Sequence, residues 1–156
     1  MSKKSSIRGQ EQDDAWLAKS IEEIEGSRWG DPSPKDTPLV AKCLRLRQVP
    51  VGHLTPGEMR MLLGQSIGTT ALARRVMPVL QADVLVEAEL YSGDLLVAFS
   101  RALSSKEARL DSELVDAARN LLASALLKLE SEEAGTLRSS IERDVRAAIA
   151  AVGDSL

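Results

Sequence analysis

His53 and Cys43 are the only histidine and the only cysteine in this 156-residue chain, so they head the residues that could do chemistry. An acid–base or metal site needs His, Cys or paired carboxylates converging on one pocket. His53 lies between Gly52 and Leu54 in a loop, where a solvated or locally bonded imidazole is the ordinary outcome. Cys43 falls on the apolar spacing of its helix and reads as a small buried hydrophobe. A lone cysteine leaves no intramolecular disulfide and no Cys-based zinc site. Gly64-Gln65-Ser66-Ile67-Gly68 is not a phosphate loop, because no Lys-Ser/Thr pair follows it and no strand precedes it. Its glycines, Gly64 and Gly68, end one helix and turn the chain into the next. No nucleophile–base pair can be named, so the residues point away from an enzyme, and they call for no cofactor and no metal.

Charge carries more information. The net charge is −3, but it is distributed in blocks. Residues 11–36 are acidic, 37–82 basic, and 83–94 carry four acids and no base. Glu22, Glu23 and Glu25 crowd the C-terminal end of a first helix, where the macrodipole disfavours negative charge. Asp31 follows in the next turn. Asp83, Glu87, Glu89 and Asp94 surround Tyr91, a combination that can bind a cationic surface through charge and a rigid aromatic contact. The bases Lys42, Arg45, Arg47, Arg60, Arg74 and Arg75 have no aromatic residues interleaved, so they read as a solvated helix face. A helical regulatory or nucleic-acid-binding protein using the 42–75 stretch is the alternative, and it predicts salt-dependent retention on heparin.

Between these blocks lies Glu25-Gly26-Ser27-Arg28-Trp29-Gly30-Asp31-Pro32-Ser33-Pro34, a turn whose glycines and prolines break regular structure around a tryptophan. Such a tryptophan is either a plug that pins the loop or an anchor offered to a partner.

The elements that position these residues read as helices. Apolar residues make up 44% but aromatics only 3%, so the core is aliphatic, as in helical folds. A polar tail over 1–12 precedes one domain over 13–153. The first helix runs from an Asp13 or Asp14 cap through Trp16, Leu17, Ile21 and Ile24 to Gly26. A second starts at Pro38 behind Asp36 or Thr37 and ends at Pro50. A third starts at Pro56, with Thr55 and Glu58 at capping-box spacing, and closes at Gly64. The next spans about 70–80, limited or bent by Pro78. Residues 82–91 read as an acidic loop in preference to a short strand. Ser92 caps the following helix, a long one covers 111–130, and the chain restarts at Gly135-Thr136 for the last. The expected fold is all-α, a bundle or orthogonal array of six to seven helices. No run approaches the ~20 apolar residues of a membrane span, and the reading is of a cytoplasmic protein.

Four ordered motifs over residues 20–96 resemble the contact-dependent growth inhibition (CDI) immunity proteins of bacteria. Ile24-Glu25-Gly26-Ser27-Arg28-Trp29-Gly30-Asp31-Pro32 resembles that family's LEG-x-x-WG-[ED]-P opening. Leu39-Val40, Cys43 and Leu46-Arg47 are similar to its leucine-valine, cysteine and leucine-arginine helix. Leu54-Thr55 to Gly68 is similar to its LT-x-ED-LR-LLIGQ-x-IGL segment, and Tyr91-Ser92-Gly93-Asp94-Leu95-Leu96 to its FY-x-GDLL. Thr69 replaces the family's leucine after Ile67-Gly68, and 83–89 depart from its usual sequence before the tyrosine, which implies a different partner specificity. The resemblance implies a cytoplasmic antitoxin that binds the C-terminal toxin domain of a contact-delivered effector, often a nuclease, and blocks its active site. It makes Trp29, Gly30, Pro32, Thr55, Glu58, Gly64 and Gly68 structural, with Trp29 a plug. The expected contact residues are then Asp83, Glu87, Glu89, Tyr91 and Asp94, with Glu22, Glu23, Glu25 and Asp31. No membrane and no direct nucleic-acid partner is expected.

Overall fold

The computed structural model describes residues 14–106, 108–131 and 136–153. The expected tail therefore lies outside the described residues, as do Asp13 and Gly135. Seven α-helices and no strands are present among the described residues, so the fold is all-α. The helices divide into two compact units, one ending at Thr55 and the other beginning at Pro56.

The first unit contains a 3-10 turn (Trp16–Ala18), α1 (Ile21–Glu25), α2 (Pro38–Leu46) and a second 3-10 turn (Val51–His53). The continuous first helix expected from Asp13 or Asp14 is interrupted at Lys19. Ser20 and Glu23 form a reciprocal capping box, with Ser20 N–H donating to Glu23 Oε2 at 3.0 Å and Glu23 N–H to Ser20 Oγ at 3.2 Å. Lys19 O is meanwhile taken by Val51 N–H at 2.9 Å, so the chain restarts as a separate helix. Gly26 ends α1 in the left-handed region at φ 67°. Thr37 caps α2 with Pro38 in its first turn, as expected. That helix stops at Leu46, short of Pro50, and Arg47 O instead accepts Glu22 N–H at 3.2 Å.

The second unit contains α3 (Pro56–Gly64), α4 (Thr69–Ala82), α5 (Asp94–Leu103), α6 (Ser112–Ser131) and α7 (Thr136–Gly153). Apart from Arg101, every residue of α5 is buried, which makes it the central element. It packs against α3, α4 and α7, while α7 also lies along α6. Helix α7 turns Ile141, Val145, Ala148 and Val152 inward at helical spacing. The core is aliphatic, built from residues such as Leu62, Leu72, Leu80, Leu95 and Leu122 around the single Phe99. Helix α4 runs through Pro78 to Ala82, and Pro78 occupies an exposed position there. Its missing N–H forfeits only one backbone bond.

Candidate functional site

Asp94, at the first position of α5, organises the segment between α4 and α5. It is 2% exposed, and its carboxylate accepts three consecutive main-chain N–H groups. Ala88 donates to Oδ1 at 2.7 Å, while Glu89 and Leu90 donate to Oδ2 at 3.0 and 2.8 Å. Burial pushes the Asp94 carboxyl upward, but the N–H bonds of Leu90, Ala88, Glu89 and Leu95 outweigh it and hold the pKa below its usual 3.8. Arg60 of α3 adds positive charge, its Nε 3.8 Å from Asp94 Oδ2 and its guanidinium 3.1 Å from Glu89 Oε2.

The rest of the segment is tied in the same way. Asp83 Oδ1 accepts Leu85 N–H at 3.1 Å, Ser92 Oγ–H donates to Leu85 O at 2.8 Å, and Gly93 N–H donates to Val86 O at 3.2 Å. Gly93, not the expected Ser92, is the N-cap of α5. It sits at φ 90°, a conformation that suits glycine, and the Ser92 hydroxyl is used within the loop. Residues 83–93 thus form a clamped loop, with only an isolated bridge between Glu87 and Ser92. Asp83, Glu87 and Glu89 are exposed and Tyr91 is half-buried. Leu90 is 61% exposed at the clamped turn. Beside Asp83 an open groove runs between the end of α4 and α6, lined by Leu80, Val84, Ala117 and Leu121.

Asp94 is therefore removed from the expected contact surface, because its carboxylate is consumed inside the loop. The first acidic cluster is also largely committed to local structure. Its organiser is Arg47, which is fully buried and not the solvated base expected from the sequence. The guanidinium donates to Glu25 Oε2 at 2.9 Å and to Ser27 O at 2.8 Å, and lies 3.8 Å from the Trp29 ring centroid. Trp29 is 54% exposed, so it does not plug the apolar core; it covers a buried cation with one ring face. Glu22 is also buried, accepting Trp29 N–H at 3.3 Å, with exposed Arg28 3.8 Å away. Glu23 closes the capping box, and Asp31 accepts Gln48 Nε2–H at 3.0 Å. Gly30 turns the chain at φ 90° before half-buried Pro32. In the second unit α3 starts behind Thr55, both Thr55 and Glu58 have bonding partners, and Gly64 closes that helix. Gly68 precedes α4 in the left-handed region.

The basic 42–75 stretch is similarly broken up. Arg47 is buried, Arg60 faces Glu89 and Asp94, Arg74 lies 3.7 Å from Asp111, and Arg75 is engaged. Cys43 is 4% exposed and burial raises its thiol pKa, only partly offset by Lys42, which leaves it poorly suited to nucleophilic work. Among the described residues no group of three or more His, Cys, Asp or Glu is arranged to hold a metal. None of the described helices is long and apolar enough to cross a membrane.

The residues that sequence reasoning missed are Arg47, Arg60 and Leu90. Arg47 had a signal in the Leu46-Arg47 pair, which resembles a family motif. Leu90 had one in being the apolar residue between Glu89 and Tyr91.

No curated protein and no solved structure matches the chain. The family model described as CDI immunity proteins matches residues 23–117, from α1 through the Arg47 turn and the clamped loop into α6. The chain thus belongs to the CDI immunity proteins, the family whose role is to neutralise a contact-delivered toxin.

Proposed function

We propose that this immunity protein works by occupancy, covering the active site of a nuclease toxin domain with the acidic loop at residues 83–91. The observation that carries the reading is the clamped loop. Its conformation depends on Asp94 and main-chain bonds, which leaves Asp83 and Glu87 outward-facing and acidic. A nuclease cleft is cationic because it holds phosphate, so a rigid acidic loop is complementary to it and gains association rate from long-range attraction. The protein needs no chemistry of its own for this role. The partner is the C-terminal domain of the effector, and the encounter takes place in the cytoplasm, where a delivered nuclease meets its substrate.

The test is co-purification with the C-terminal domain of the effector encoded immediately upstream, followed by a nuclease assay with and without equimolar immunity protein. Association with loss of cleavage is the expected result. Failure to associate at low salt would overturn the reading, and association without inhibition would overturn active-site occlusion. Binding of the free protein to heparin or RNA would instead favour a role for the basic stretch.

A further inference from the structure

We infer that Leu90 is the specificity-determining anchor of the toxin contact, an apolar knob that enters an apolar hollow rimmed by lysine or arginine on the toxin domain. The inference rests on the antitoxin reading above and names the residue that would carry its affinity. Three properties of Leu90 converge.

Its side chain is 61% exposed although leucine gains by burial. Its own N–H is bonded to Asp94 Oδ2 at 2.8 Å, with the two preceding N–H groups bound to the same carboxylate. The knob is therefore held in place before any partner arrives, and binding does not have to order the loop. Finally, its surroundings are acidic. Glu87 is exposed and the Glu89 carboxylate is shared with Arg60 at 3.1 Å, so the rim presented around Leu90 remains negative. An apolar side chain encircled by acid fits a hollow encircled by base, and such a centre-and-rim arrangement is how a few residues dominate an interface.

The clamp also separates specificity from folding. Every bond that Asp94 makes to residues 88–90 goes to the main chain, so the side chains at 87, 89 and 90 can change while the loop keeps its path. Residues 84–90 then behave as a replaceable cassette on a fixed frame.

The experiment measures binding of the upstream effector's purified C-terminal domain to the full chain and to Leu90→Ala, Leu90→Asp, Glu87→Gln and Leu127→Ala. Leu127 is the control, 69% exposed on α6. Leu90→Ala should raise Kd about thirtyfold, chiefly through faster dissociation, and Leu90→Asp by more. Glu87→Gln should slow association several-fold and weaken its salt dependence. Leu127→Ala should stay within about twofold of wild type. Far-UV circular dichroism and melting temperature are recorded for each variant, and Leu90→Ala is the one read if Leu90→Asp melts early. If wild type binds and Leu90→Ala binds equally well, the anchor is overturned while the antitoxin reading stands. If wild type does not bind, both fall.

Discussion

Two buried charges account for much of what the individual residues do. Arg47 and Asp94 are each enclosed by a turn, and each turn supplies bonding groups from its main chain. The geometry at Asp94 yields a pH prediction. A carboxyl with a folded-state pKa below its unfolded value binds protons more weakly in the native state. Its contribution is therefore complete above the unfolded value and is lost as pH falls through the folded one. Replacing Asp94 by Asn puts an NH2 group where a donating N–H now points, and should cost about 2 kcal/mol at neutral pH. Urea melts of wild type and Asp94→Asn from neutral pH down to about pH 3 should show the gap constant above about pH 4 and narrowing below it. A gap unchanged in acid would mean that the carboxylate is not what holds the loop. At this scale the sequence was partly legible: acids at 83, 87 and 89 are exposed as their type suggests, but nothing local distinguishes them from Asp94. What separates them is the folded chain, which brings three N–H groups onto one carboxylate and none of the others.

Elements were legible where local chemistry decides them. Thr37-Pro38 and Gly26 act at the helix ends where their types predict. Two boundaries moved because a competing bond won: Ser20 breaks the first helix by capping a new one, and Gly93 displaces Ser92 at the start of α5. The second case gives a prediction. An ideal Cβ on Gly93 would lie 3.0 Å from Ile141 Cδ1 and 3.5 Å from Leu85 Cδ2, at a φ of +90°. Gly93→Ala should destabilise by about 2 kcal/mol, measured by chemical denaturation. Adding Ile141→Val removes the crowding methyl but not the backbone strain. The double variant should thus be less destabilised than the sum of the two single variants, and strict additivity would refute the steric part.

At the scale of the whole molecule, the family match ends at residue 117, inside α6, yet the second unit extends through α7. Helix α7 contributes Ile141, Val145, Ala148 and Val152 to the core, and its Asp144 meets Arg101 of α5 at 3.1 Å. Truncation after Ser131 strips the cover from α5 and α6. It should abolish the cooperative thermal transition and leave a dye-binding, partly ordered chain. A cooperative melt kept within a few degrees of wild type would show instead that α7 is dispensable.

By itself, the sequence determined the helical class, the loop at 82–91 and the family, because aliphatic periodicity, caps and ordered motifs are local properties that survive without coordinates. Only the tertiary structure decided which charges are spent and which are available. Arg47 and Glu22 disappear beneath the Trp29 turn, and Asp94 beneath the loop it clamps, while Leu90 is left outside. The reason is physical. Whether an ionisable side chain faces water or a set of N–H groups depends on residues brought near it by folding, and spacing along the chain carries no record of that.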